Sequence, residues 1–100
     1  MPYLKLSRRA QADMMRLYKF LELKSPSVAA KAIFTIRESL APLKVMPLIG
    51  RPVLDSNNLR ELVIAFGSDG YIALYEYIPE QDHVYIVAIK HQKEDGYNKP

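Results

Sequence analysis

Residues 59–91 read LRELVIAFGSDGYIALYEYIPEQDHVYIVAIKH. Three runs rich in β-branched and aromatic residues, 59–66, 71–78 and 83–89, are separated by Gly67-Ser68-Asp69-Gly70 and Pro79-Glu80-Gln81-Asp82. Both separators consist of residues that favour turns, so the stretch predicts three consecutive strands. In the middle run Tyr71, Ala73, Tyr75 and Tyr77 share one face, and Ile72, Leu74, Glu76 and Ile78 share the other. In the last run Tyr85, Val87 and Ile89 alternate with Val84, Ile86 and Ala88. Both faces are apolar, as in strands covered on both sides.

Upstream, Leu4 and Leu6 alternate with Lys5 in a short first strand, and Ser7 is placed to cap a helix. Ala10, Met14, Leu17, Tyr18 and Leu21 recur at helical spacing. Ser25-Pro26 restarts the chain with a cap and a proline at the first helical position. Val28, Ala29, Ala32, Ile33, Ile36 and Leu40 form the second apolar stripe, which Pro42 ends. An irregular stretch from Lys44 to Asn58 holds Pro47, Gly50 and Pro52; a loop of this length in a small domain is often functional. The predicted fold is α+β in the order β-α-α-β-β-β, one domain over 1–100. Helices over about 8–23 and 26–41 lie on one face of a four-stranded, mainly antiparallel sheet, with Leu17, Ile33, Ile36, Leu62, Ile64, Leu74 and Ile86 in the core. A helical hairpin covers only one sheet face, so the second awaits a partner unless the sheet curls over itself or the chain forms a homodimer.

Composition narrows the function. The 100 residues are 49% apolar and 25% charged, with a net charge of +3 and no cysteine. Disulfides and thiolate metal sites are therefore excluded. No stretch has the length of a signal peptide or a membrane span, which gives a cytoplasmic expectation. Nothing resembles a P-loop, a dinucleotide fingerprint or a metal-ligand spacing, so no cofactor and no metal are expected.

The element order, Ser7-Arg8-Arg9-Ala10, Gly50-Arg51-Pro52-Val53, Leu59-Arg60-Glu61-Leu62, Gly70-Tyr71 and the tail from His91-Gln92-Lys93 together resemble the RelE/ParE superfamily. These are toxins of bacterial type II toxin–antitoxin modules, often called plasmid stabilisation proteins. The resemblance covers nearly the whole chain. It implies a twisted antiparallel sheet against a helical hairpin, and a cognate antitoxin that wraps the toxin and shields apolar surface.

The superfamily divides by mechanism: RelE-like toxins cleave messenger RNA on the ribosome, and ParE-like toxins poison DNA gyrase. Metal-free cleavage needs a proton carrier beside clustered cations that stabilise a pentavalent phosphate. His91 and Tyr97 are the candidate proton carriers. Arg51, Arg60, Lys90 and Lys93 are the candidate contacts to a target or nucleic acid, and Tyr71, Tyr75, Tyr77 and Tyr85 those to an antitoxin. RelE-like nucleases carry basic residues where this chain has Ile72 and Glu76, and lysines along the strand that here reads Glu61-Leu62-Val63-Ile64. The run His91-Gln92-Lys93-Glu94-Asp95 resembles the His-x-Arg-x-Asp tail of ParE proteins, with lysine for arginine. These residues favour gyrase over ribosome-bound message, with an inactive antitoxin-binding member as the third reading.

Overall fold

The computed structural model describes residues 2–94. The elements are β1 (Tyr3–Leu6), α1 (Arg8–Glu22), α2 (Pro26–Leu40), a 3-10 turn (Ala41–Lys44), β2 (Arg51–Pro52), β3 (Leu59–Phe66), β4 (Asp69–Ile78) and β5 (His83–His91). The sheet runs β1-β5-β4-β3-β2, with β1 parallel to β5 and every other pair antiparallel. The α+β reading and both helices stand as expected. The sheet has five strands rather than four, because Arg51 and Pro52 pair with Glu61 and Arg60. Two residues leave no periodicity to read, and proline is tolerated there because β2 is an edge.

Local chemistry sets the helix starts. The Ser7 hydroxyl accepts from Ala10 N at 2.9 Å, and the Ser25 hydroxyl accepts from Val28 N at 3.3 Å with Pro26 at the first helical position. Ala10, Met14 and Leu17 of α1 and Ala32, Ile36 and Leu40 of α2 pack on Ile64, Tyr71, Ala73, Tyr75, Val84, Ile86 and Ile89.

Two expectations about faces are corrected. Residues directly opposite in a ladder share a face. Leu62 lies opposite Ala73 and Ile64 opposite Tyr71, so the tyrosine row of β4 faces the helices and Leu74 faces away. Leu62 and Ile33 are partly buried at the margin of the core. In β5, Leu74 pairs with Ala88 but Tyr75 pairs with Ile86, which leaves Val87 as an extra residue. Such a bulge sets two residues against one, and every side chain beyond it changes face. Val84 and Ile86 therefore face the helices before the bulge, and Ile89 and His91 do so after it. Ala88 and Lys90 face away.

Beyond the end of β1, the outer edge of β5 has no strand neighbour, and α1 supplies the missing partners. The Ser7 hydroxyl donates to Val87 O at 2.7 Å, and buried Asp13 accepts from Ile89 N at 2.9 Å. Buried backbone groups need such partners, and here they hold the bulge.

Tyr75 organises the other end of the sheet. Its ring is fully buried and its hydroxyl accepts from Gly50 N at 2.8 Å. A Cβ at Gly50 would stand 2.6 Å from that ring and 2.8 Å from Glu61 O, so only glycine lets the loop approach. Arg60 closes the loop by donating to Gly50 O at 2.7 Å and Leu48 O at 3.1 Å.

Ile86→Ala should lower stability by about 2–5 kcal/mol in urea titration, since a fully buried branched chain leaves a cavity. Burial pushes the Tyr71 and Tyr75 phenols above the ordinary 10.0, an effect that Gly50 N–H and Arg60 partly offset at Tyr75. The unfolded chain then releases these protons first. The urea midpoint should be undiminished by these groups below pH 10 and decline as the pH rises past it.

Candidate functional site

Two surfaces gather the residues that can do chemistry, and they lie on opposite sides of the sheet. The first is the face away from the helices. Its cross-strand rows follow from the register: Lys5–Tyr85–Glu76–Leu59, then Ala88–Leu74–Glu61–Arg51, then Lys90–Ile72–Val63. Along β4 the stripe Ile72, Leu74, Glu76 and Ile78 is half-buried, and Val63 beside it is 48% exposed. Two charged groups at the margins are engaged: Arg51 Nε lies 3.3 Å from Glu61 Oε1, and Lys90 Nζ donates to Glu94 O at 3.2 Å.

The second surface is a groove of about 710 Å³ between the C-terminal half of α1, the β3–β4 turn and the end of β5. Leu17, Leu21, Phe66 and Tyr71 form its apolar lining, and Arg16, Lys24, Asp69, His91, Lys93 and Glu94 its polar rim. Gly67, at φ 63, gives the turn its left-handed residue, and Asp69 follows at the start of β4. His91 stands edge-on to Tyr71 at 5.5 Å between ring centroids. Its Nδ1 accepts from Lys93 N at 3.1 Å, so the neutral ring carries its proton on Nε2, which faces Asp69 Oδ2 at 4.0 Å. Lys93 Nζ lies 3.5 Å from Asp69 Oδ1, and Arg16 bonds Glu94 at 3.0 Å and approaches Asp13 at 3.6 Å. Glu94 also accepts from His91 N at 2.9 Å. The rim thus alternates cations with carboxylates, and its positive charge is largely neutralised at close range.

The structure separates the residues that the sequence placed together. His91 and Lys93 belong to the groove, while Lys90 lies on the open face and Arg51 on its far edge. Tyr97 lies outside the described residues. Arg60 is on the helical side of β3, where it holds the loop. As antitoxin contacts, Tyr71 and Tyr75 are corrected: they are 3% and 0% exposed beneath the helices. Tyr77 donates to Asp82 at 3.1 Å from the helical side, and Tyr85 alone of the four faces away. Sequence reasoning missed Asp13, Asp69 and Glu94. Asp13 did leave a signal, a carboxylate on the apolar stripe between Ala10 and Leu17. Among the described residues no group of three or more His, Cys, Asp or Glu could hold a metal ion. No helix there is long and apolar enough to cross a membrane.

The helical hairpin on one face of a mixed five-stranded sheet is a fold shared with solved relatives. Residues 4–96 match the family described as ParE toxin of type II toxin–antitoxin system, parDE, and the chain belongs to that family. It is 35% identical to the Toxin RelE3 of Caulobacter vibrioides over 94% of this chain and 98% of that one. The chromosomal ParDE toxin–antitoxin structure from P. aeruginosa is similar at a TM-score of 0.76 and 26% identity, covering 91% of this chain and 96% of that one. The intact E. coli RelBE complex shares the fold at a TM-score of 0.65 and 16% identity, with 94% and 100% coverage. The chain is a toxin of the RelE/ParE superfamily.

Asp13→Ala should cost about 1–3 kcal/mol in urea titration, because Ile89 N–H is left buried and unpaired. Asp13→Asn, which keeps an acceptor oxygen, should recover part of that loss.

Proposed function

We propose that this toxin acts by binding DNA gyrase rather than by cutting RNA, and that an antitoxin silences it by covering the open sheet face. The observation that carries the reading is the separation of His91 from the positions where a nuclease needs cations. Of those positions, Glu61, Val63, Ile72 and Glu76 fall on the open face, where they present two carboxylates and two aliphatic chains, while Leu62 and Ile64 face the helices. His91 faces the other way. A proton carrier and a cationic cradle must reach the same phosphodiester, and oxyanion stabilisation is usually the largest contribution to such catalysis. Carboxylates there repel the phosphate instead.

The groove supports the same reading. His91 Nδ1 is engaged by Lys93 N, its Nε2 faces Asp69, and Arg16 and Lys93 already have carboxylates. An apolar face interrupted by few charges suits protein–protein contact. Val45, Met46, Leu48 and Leu54 of the loop before and after β2 are exposed apolar side chains as well. Both gyrase and message are cytoplasmic, so the site of action is the cytoplasm under either mechanism. The ribonuclease alternative rests on the relative named Toxin RelE3 and on Lys90, a cation that does reach the open face next to Ile72.

Induction of the chain alone should produce DNA breaks and filamentation while protein synthesis continues at first. Coexpression with its antitoxin should restore growth. A translating extract given the purified chain should show no cutting of message. Rapid cutting that His91→Ala reduces by about 10²–10⁴ would establish the ribonuclease instead.

A further inference from the structure

Among the described residues of the open face, Glu76 and Lys5 are charges that no other side chain answers, and of the two only Glu76 lies inside the apolar stripe of β4. Glu76 sits in the middle of the β4 stripe, with Leu74 and Ile78 along its own strand and Tyr85 and Leu59 on either side. Glu61 is met by Arg51 and Lys90 by the Glu94 carbonyl. Glu76 makes no hydrogen bond or ion pair with any described residue. The nearest cation in its row is Lys5 on β1, two strands and roughly 10 Å away, and the two side chains do not pair.

We propose that Glu76 is the specificity-determining anchor of the open face, receiving a lysine or arginine from the antitoxin segment that covers Leu74, Ile72 and Val63. This rests on the reading that an antitoxin covers the face. The reason is desolvation. A partner that seats apolar side chains on Leu74 and Ile78 takes water away from the carboxylate between them. A carboxylate buried without a counter-charge opposes association strongly, whereas one met by a cation is neutral or favourable and rejects partners that lack it. Apolar contact supplies the affinity, and Glu76 selects the segment that carries a cation in register. The occupant is therefore an amphipathic segment with an apolar stripe interrupted by one basic residue. A second copy of this chain would have to bring Lys5, its own cation at the edge of that face.

The test uses the full chain with its cognate antitoxin, obtained by coexpression from the adjacent reading frame, and measures the dissociation constant at two salt concentrations. Urea unfolding of each free variant establishes that it is folded. Glu76→Gln should weaken the complex by about tenfold or more and flatten its salt dependence. Glu76→Lys should weaken it further, and replacing one antitoxin lysine or arginine by glutamate should restore binding to Glu76→Lys alone. Leu74→Arg, which disrupts the apolar stripe, separates the two levels of the argument. If Leu74→Arg abolishes binding while Glu76→Gln changes it less than twofold, the face is covered as proposed but Glu76 is no anchor. If neither substitution matters, the antitoxin binds elsewhere and both readings fall. Dimerisation of the free chain that Leu74→Arg abolishes, with antitoxin affinity untouched, would assign the face to a second copy.

Discussion

The extra residue at Val87 is the constraint on which the rest depends. Without it β5 would alternate unbroken, Ala88 would face the helices, and Ile89 and His91 would emerge on the open side. With it, Ile89 completes the core, His91 turns toward the groove, and Lys90 moves to the open face. The bulge is held from α1. Ser7 caps that helix and also donates to Val87 O, while Asp13, two turns on, accepts from Ile89 N. One polar residue therefore sets where a helix begins and where a strand changes face.

That change of face divides the chemistry of the molecule. Superfamily members that cut RNA need several cations and a proton carrier at one place. Here His91 is on one side of the sheet, and Glu61, Val63, Ile72 and Glu76 are on the other. Burial and pairing do the remainder. Arg60, a basic residue that could have served a phosphate, is committed to two loop carbonyls, and the rim cations of the groove stand next to carboxylates.

The structure also accounts for a surface that a free domain would not expose without a use. Monomeric proteins rarely leave a large contiguous apolar patch open. Half-buried Leu74 and Ile72, with Val63 at 48% exposed, form an apolar stripe on the open face, the surface proposed for the antitoxin. Gly50 and Tyr75 hold the loop against the sheet so closely that no other residue fits at position 50.

The sequence by itself determined both helices, four of the five strands and the order of these elements. Ser7, Ser25 and Pro26 mark helix starts, Gly67 and Pro79 mark turns, and the 3.6- and 2-residue periods separate helices from strands. These are local effects, written within a few residues of where they act. It could not determine which face of β4 is inside, because Tyr71, Ala73 and Tyr75 are as credible a core row as Ile72, Leu74 and Ile78. The tertiary structure decided this through the phenol of Tyr75, which finds Gly50 N–H only from the helical side. Nor could it place His91, because whether a strand bulges at Val87 depends on Ser7, 80 residues away. Face and register are set by contacts between distant segments, and a single residue of slip reverses every side chain beyond it.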